Sequence, residues 1–153
     1  MLTVSIDARD MERARVLLAR WPERLVEVLR RANLNSGAVL LRRVKLALSG
    51  EKLHVRTGNL RRNWSQIMPV REPDGWRGGI GSGETEYAAY HEFGFSGSVG
   101  VRAHTRRGHA VRAHTRNVSY AGRPYARPAL VEVRERIEAI HSDAIRQAWE
   151  KSQ

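Results

Sequence analysis

Two groups of residues in this chain carry side chains that could perform acid–base or metal chemistry. His91 and Glu92 are adjacent, and an imidazole beside a carboxylate can exchange protons with a substrate. His104, His109 and His114 are spaced five residues apart, and neutral imidazoles are common metal ligands. Whether either group can act depends on the elements that position it.

The pair His91 and Glu92 is predicted to lie on a β-strand over residues 84–93. Adjacent side chains of a strand point to opposite faces, so these two cannot converge on one substrate unless the backbone bulges. The sequence offers no second set of acid, base and nucleophile. We therefore expect no catalytic residue in this chain.

The three histidines lie within an internal repeat. Val101–Arg106 recurs unchanged as Val111–Arg116, with a Gly-containing turn between the copies. This pattern predicts a protruding β-hairpin over residues 98–118, centred near His109, with the outer two histidines opposite each other. The repeat contains Arg but no Cys, Asp or Glu, and dense positive charge disfavours a divalent cation. We expect neither a metal site nor a cofactor, and Val and Ala alone are too few for a core.

Nucleotide binding has no support in the sequence. Residues 78–83 are Gly-rich but lack the Lys of a phosphate-binding loop. Several aromatic side chains could stack on nucleic-acid bases, or could equally fill a sheet core or a subunit interface. These are Trp64, Trp76, Tyr87 and Tyr90.

Composition and charge limit the class of protein. The 153 residues suit one domain, 1–153, and no run of about 18 apolar residues could span a membrane. The N-terminus lacks the features of a signal peptide, and the absence of cysteine fits a reducing cytoplasm. The net charge is +11, and residues 93–131 hold seven Arg and no acid. Such a patch attracts nucleic acid or an acidic protein surface, unless it is simply a solvated face.

The N-terminal third has helical periodicity. Apolar residues recur at steps of three and four across residues 10–48. Asp7 is a predicted cap, Pro22 a predicted kink or restart, and residues 33–37 a predicted interruption. An unbroken helix over residues 10–48 is the alternative. Gly50 is predicted to end the helix, because Gly accepts the left-handed conformation.

The middle of the chain changes to an alternating pattern. Residues 64–70 and 76–80 predict two strands joined by a turn at 73–75, and residues 84–93 would add a third strand to an antiparallel meander. One side of the first strand should carry Trp64, Gln66, Met68 and Val70.

The C-terminal segment, residues 129–149, is predicted to be a helix with one apolar face that packs against the sheet. That face comprises Leu130, Val133, Ile137, Ile140, Ala144 and Trp149. The predicted fold is therefore α+β: an N-terminal helical segment, an antiparallel sheet with a protruding basic hairpin, and a C-terminal helix packed on the sheet.

Three segments, taken in order, resemble a known protein family. They are Thr57-Gly58-Asn59-Leu60-Arg61-Arg62, Thr85-Glu86-Tyr87-Ala88-Ala89-Tyr90-His91-Glu92-Phe93-Gly94 and Gly122-Arg123-Pro124-Tyr125-Ala126-Arg127-Pro128-Ala129-Leu130. Their order and spacing are similar to those of small head–tail joining proteins of long-tailed bacteriophages, also called tail-completion or tail-terminator proteins. That family typically carries Gly-x-Leu-Arg, Tyr-Ala-x-x-x-Glu-Phe-Gly and Arg-Pro-Phe-x-x-Pro-Ala segments. Tyr125 stands where the family usually has Phe, and Phe95 where it usually has Thr.

The resemblance implies a structural virion protein and not an enzyme. Such proteins form a ring, usually hexameric, at the head-proximal end of the tail. The ring terminates the tail tube, joins it to the head connector or adaptor, and lets genomic DNA pass through its lumen. The implied location is the tail or neck of the virion, after assembly in the host cytoplasm, with no membrane partner.

The resemblance also implies structural roles for the residues of the three motifs, with Glu92 holding a turn or a neighbouring segment. These motif residues are Gly58, Leu60, Arg61, Tyr87, Glu92, Phe93, Gly94, Arg123, Pro124, Tyr125 and Pro128.

Two alternatives stay open at this point. Another neck ring, such as a head-completion adaptor, fits the same resemblance. A basic nucleic-acid-binding module fits the arginine-rich stretch and would bind DNA as a monomer with strong salt dependence. In each case the residues that face the partner or DNA are the hairpin arginines, Arg102, Arg106, Arg107, Arg112 and Arg116.

Overall fold

A computed structural model describes residues 8–53, 58–73, 75–85 and 87–151, with side chains from residue 25 onward. The chain has a mixed α+β fold, as predicted. The helices are α1 (Ala8–Leu46), which runs into a π-helical turn (Ala47–Glu51), α2 (Asn59–Asn63), α3 (Tyr87–Phe93) and α4 (Ala126–Glu150). The strands are β1 (Ser65–Glu72), β2 (Gly75–Gly81), β3 (Gly94–Val101), β4 (His104–Arg106), β5 (His109–Val111) and β6 (His114–Ala121).

Helix α1 is continuous over 39 residues, so the alternative of one long helix is confirmed. The interruption predicted at residues 33–37 is wrong, because Ser36 and Gly37 are buried against the rest of the fold. Burial there outweighs the low helix propensity of Ser and Gly. The helix also runs through Pro22 without a restart, and the predicted cap Asp7 lies outside the described residues.

The end of α1 follows the sequence prediction. Gly50 has a φ of +120°, in the region that favours glycine, and the Lys52 N–H donates to the carbonyl of Ala47 at 3.0 Å. Leu48 and Ala47, in the same turn, belong to the core. The remaining buried members of that core are Val44, Leu53, Tyr125 and Ala129.

Strands β1 and β2 form the predicted antiparallel hairpin, from Ser65 paired with Gly81 to Glu72 paired with Gly75. The register shifts between Ile67 and Val70, around Pro69. Proline cannot donate to the ladder, so the alternation of faces breaks there. Met68 and Val70, predicted on the same side as Trp64 and Gln66, are consequently 62% and 63% exposed.

The β1–β2 hairpin is held against α1 by side chains that reach its backbone. Gln66 Nε2 donates to the carbonyl of Leu34 at 2.6 Å, and Trp76 Nε1 donates to that of Val26 at 2.9 Å. A Cβ on Gly37 would lie 2.6 Å from Gln66 Nε2, so glycine leaves room for that amide.

The predicted third strand over residues 84–93 is wrong, because Tyr87–Phe93 is the helix α3. Thr85 supports its start: the carbonyl accepts the Ala88 N–H at 3.0 Å, and the buried hydroxyl accepts Asn63 Nδ2 at 2.7 Å. The helix stops at Gly94, whose φ is +85°. The described strands therefore form three two-stranded sheets and no meander.

Helix α4 packs mainly along α1 and runs antiparallel to it. The sequence had predicted that α4 packs on the sheet. Arg43 meets Glu132 at one end, while Ala32 and Ala148 line the same groove at the other. The contact face is shifted from the predicted one. Ala129 and Ala148 are buried, because small residues let the helices approach, while Leu130 and Trp149 are exposed. The residues between them, Val133, Ile137, Ile140 and Ala144, are half-buried as expected.

Candidate interaction surface: the hairpin arm and its base

Residues 94–121 form a long two-stranded ladder that we call the hairpin arm. β3 pairs with β6 from Gly94–Ala121 to Val101–His114, and β4 pairs with β5 beyond them. The tip is the two-residue turn Arg107-Gly108, whose φ values of 51° and 82° are those of a type I′ turn. The ladder therefore begins four residues before the predicted boundary at residue 98.

The two copies of the repeat adopt the same local structure. Each strand is interrupted at the Arg-Ala pair, and the following histidine places Nδ1 3.0 Å from the carbonyl of that arginine. The predicted pairing of His104 with His114 is wrong. His104 lies opposite Val111 and His114 opposite Val101, because the tip falls before His109. No cluster of three metal-ligating side chains occurs in the described part of the chain.

The base of the arm has one apolar face and one polar face. The cross-strand pairs Phe95–Tyr120 and Gly97–Val118 share a face, as does Val99 with Arg116. On β3 this face is half-buried, whereas Ser96, Ser98 and Gly100 are exposed on the other. The arm is thus amphipathic near its base, although its outer part has little apolar surface.

Two glycines let two backbone segments approach closely where the arm leaves the body. A Cβ on Gly94 would lie 2.7 Å from the Gly122 nitrogen and 2.9 Å from the Tyr120 carbonyl oxygen. A Cβ on Gly122 would lie 2.7 Å from the Gly94 nitrogen and 2.8 Å from the Glu92 carbonyl oxygen. No side chain fits in either place. Gly122 was not among the predicted site residues, although it directly precedes the Arg123-Pro124 motif.

Glu92 joins the base of the arm to the start of α4. Its carboxylate accepts the backbone N–H groups of Tyr125 at 2.8 Å, Ala126 at 2.9 Å and Arg127 at 2.9 Å. The next residue, Pro128, has no N–H, so Glu92 and Pro128 together account for the otherwise unpaired donors of the first turn. A carboxylate is also favoured at a helix N-terminus by the helix dipole. This is the kind of role that the resemblance implied for Glu92.

His91 and Glu92 lie on a helix and point to different neighbours. The His91 ring meets Tyr87 edge-on at 5.9 Å and Tyr120 at 6.4 Å. Both oxygens of Glu92 are occupied by backbone donors. The prediction that these two residues lie on opposite faces of a strand was therefore wrong. The contacts nonetheless give the pair two separate structural roles.

Tyr125 is the most deeply buried aromatic side chain near this junction, at 1% exposed. Its hydroxyl donates to the carbonyl of Ala88 at 3.4 Å, and its ring meets Trp64 edge-on at 5.9 Å. Burial raises the pKa of Tyr125, and the nearby Glu92 carboxylate raises that pKa further. Trp64 is accordingly a packing residue and not a base-stacking platform.

Exposed aromatic side chains collect around the base of the arm, and we call this group the aromatic base. Tyr90 and Phe95 have ring centroids 4.9 Å apart, and Phe95 and Tyr120 are 6.5 Å apart. Phe93 is 71% exposed and touches solvent on most of its ring. The group comprises Tyr87, Tyr90, Phe93, Phe95 and Tyr120. Half of the aromatic residues proposed for stacking, Tyr87 and Tyr90, thus lie together here.

The arginines of the arm are exposed and form no ion pair within the described residues. Arg43 is different: it pairs with Glu132 and with Glu51, the latter at 2.7 Å, and this hydrogen bonding lowers the pKa of Glu132. Arg43 of the body is thus paired with two acids, while the arm contains no acid for its arginines to pair with. The five arm arginines are Arg102, Arg106, Arg107, Arg112 and Arg116.

Other motif residues lie on α2 and at the junction between α3 and the third motif. Gly58 precedes α2 with a φ of +74°, and Leu60 packs against the core. Arg61 is exposed on α2. The Arg123 N–H donates to the carbonyl of His91 at 2.7 Å, which adds a second tie between the third motif and α3. The structure thus brings the second and third motifs into direct contact.

No protein-family model, curated protein or solved structure matches the chain. Among the described residues, no helix is long and apolar enough to cross a membrane.

Proposed function

We propose that this chain is a structural protein of a bacteriophage head–tail junction, and that it forms a ring at the head-proximal end of the tail that terminates the tube and joins it to the head connector. The observation that carries the proposal is the hairpin arm. It is tied to the body by Glu92 and by the close approach of the backbone at Gly94 and Gly122, yet its outer strands pack mainly on each other. An arm with this construction is suited to contact a neighbour.

The exposed aromatic side chains at the base of the arm also support assembly. Tyr87, Tyr90, Phe93 and Tyr120 are each exposed. Aromatic residues are enriched at protein–protein interfaces.

The partners in this proposal are further copies of the chain, the tail tube protein and the head connector. We place the arm against an acidic surface of an adjoining protein ring. Five clustered arginines without acids repel one another, and an acidic surface would relieve that repulsion. A conduit through which DNA must pass gains nothing from gripping it, so the protein neighbour is favoured over the DNA.

Removal of the gene from its phage tests the function. Particles made without the protein should be DNA-filled heads separate from tails, and addition of the purified protein to such a lysate should restore joined, infectious particles. Normal joined particles in the absence of the protein would contradict the proposal. If the particles made without the protein are instead heads that leak DNA, the chain forms the neighbouring head-completion adaptor ring.

The second candidate function is nucleic-acid binding, which the acid-free arm favours. A nucleic-acid-binding module would bind duplex DNA as an isolated subunit, and its affinity would fall steeply as salt rises. The ring proposal predicts weak affinity at physiological salt. A titration of labelled duplex DNA at several salt concentrations distinguishes the two functions.

A further inference from the structure

An apolar groove of about 370 Å³ lies where the C-terminal half of α1 meets α2 and the start of β1. Its apolar lining comes from Ala38, Leu41 and Leu46, and Leu46 is 47% exposed. Cationic side chains line the same groove, and none has an ion pair within the described residues. These cations are Arg42, Lys45 and Arg61. The groove thus combines an apolar floor with unpaired positive charge.

Phe93 has the complementary chemistry. It is the most exposed large apolar side chain of the described residues, and exposed Tyr87 and Tyr90 lie on the same short helix. The one acid beside it, Glu92, is engaged with the start of α4. Because the ring faces of Phe and Tyr attract cations, this aromatic surface suits a pocket lined by Lys and Arg.

We propose that Phe93 of one subunit inserts into the apolar groove of the next subunit, with Arg42, Lys45 and Arg61 of that subunit around the aromatic rings. The inference rests on the proposed ring. Phe93 and the groove are different surfaces of one chain, so the contact is head-to-tail. Head-to-tail contacts form a closed ring where the rotation between subunits closes and an open filament where it does not, and the proposed ring requires the first case.

Charge points to a second copy as the occupant. The chain carries +11, so copies that met through their arms would repel each other. The aromatic base offers them an uncharged surface, and its rings are attracted to the cations of the groove.

Cysteine cross-linking tests this contact, because the chain contains no cysteine. Ala89 is exposed and lies four residues before Phe93, on the same side of α3, and Ala38 is exposed in the groove. A mixture of the Ala89→Cys and Ala38→Cys chains, treated with a short bis-maleimide, should give a covalent dimer. Each variant alone should give no covalent dimer, and the double variant should give a ladder of covalent oligomers that ends in a closed ring.

Phe93→Ser in the Ala89→Cys chain should reduce the cross-linked fraction on the order of tenfold, as expected for an interface anchor. Val131→Ser is the matched control, since Val131 is also exposed but lies on α4; it should leave the yield unchanged. Circular dichroism should show both variants folded.

Either of two results would overturn the proposed contact. One is no more cross-linking in the mixture than in the single variants; the other is Ala89→Cys linking to itself, which would mean that two aromatic surfaces meet. If linking fails while phage particles still require the protein for joining, the contact is wrong and the function stands. If linking succeeds while particles join without the protein, the contact stands and the function is wrong.

Discussion

The carboxylate of Glu92 connects α3 to α4 across 33 residues of sequence. It accepts three backbone N–H groups at the start of α4, and each would otherwise need another acceptor. Because α4 also packs along α1, this contact joins the base of the arm to the helical body. Its energetic role is that of a helix cap supplied by a distant residue.

We expect Glu92→Ala to lower the free energy of unfolding by about 1–2 kcal/mol, the usual cost of a lost cap. Glu138→Ala, an exposed position on the same helix that Glu92 caps, is the control and should change little. Urea unfolding measures both. Equal midpoints for the two variants would show that the cap contributes nothing to stability.

The close approach of the backbone at Gly94 and Gly122, at the base of the arm, leaves no room for a methyl group. We expect Gly122→Ala to cost about 1–3 kcal/mol, because its Cβ would overlap backbone atoms that cannot turn aside. Gly100→Ala, in β3, is the matched control, since nothing lies within 4 Å of the added Cβ. Amide exchange should accelerate across β3 and β6 in the first variant only. Unchanged protection in Gly122→Ala would refute the close approach.

Tyr125 predicts a loss of stability at alkaline pH. Burial raises its pKa above the ordinary value of 10.0, so the unfolded chain releases this proton first as the pH rises. Stability should therefore be complete below pH 10 and fall as the pH rises beyond it. Tyr125→Phe should reduce this fall, while Tyr87→Phe, at an exposed tyrosine, should retain it. The measurement is the urea midpoint at pH 8 and at pH 11. An identical decrease of the midpoint in the unsubstituted protein and both variants would contradict the prediction.

At the scale of elements, the sequence determines periodic segments more clearly than short ones. The repeat and its turn predicted the hairpin, and regular apolar spacing predicted α4. Residues 84–93 carry aromatic side chains typical of a strand, yet the segment is a helix because Thr85, Asn63 and Gly94 fix its ends. The Asn63–Thr85 contact spans 22 residues, so local pattern could not reveal it.

Local sequence pattern also could not predict which element α4 packs against. Periodicity shows that a helix has an apolar face, but not what covers it. Ala129 and Ala148 are small residues that pattern analysis ranks below Leu130 and Trp149, although close helix packing needs them. The same limitation applies to the site: the arm arginines and Glu92 were predicted, whereas Gly122 and the apolar groove depend on how segments meet.

Substitution of Ile137 tests the packing of α4 on α1. Ile137 is half-buried on the contact face, and we expect Ile137→Asp to cost about 2–4 kcal/mol, because an unpaired carboxylate would be partly buried. Val131→Asp, at an exposed position of the same helix, should cost much less. Thermal melts give the comparison. Equal shifts for the two variants would show that the face is not buried in the folded protein.

At the scale of the whole molecule, charge separates the arm from the body. The body pairs several of its arginines with glutamates, as at Arg30 with Glu27 and Arg43 with Glu51. The hydrogen bond from Arg30 is the main cause that lowers the pKa of Glu27 to about 2. The arm instead carries five exposed arginines, and the sequence contains no acid from residue 93 to residue 131. Folding alone does not require this distribution, so we assign it to the partner.

Replacement of all five arm arginines with Ser tests this assignment. The fold should be intact, because these side chains are exposed and the ladder of the arm is held by backbone pairing and by the residues at its base. Joining of heads to tails should be lost, because the acidic neighbour would no longer be attracted. Replacement of the same five residues with Lys keeps the charge and should retain most joining. Infectious, DNA-filled particles at normal titre from the Ser variant would show that the arm charge has no part in assembly.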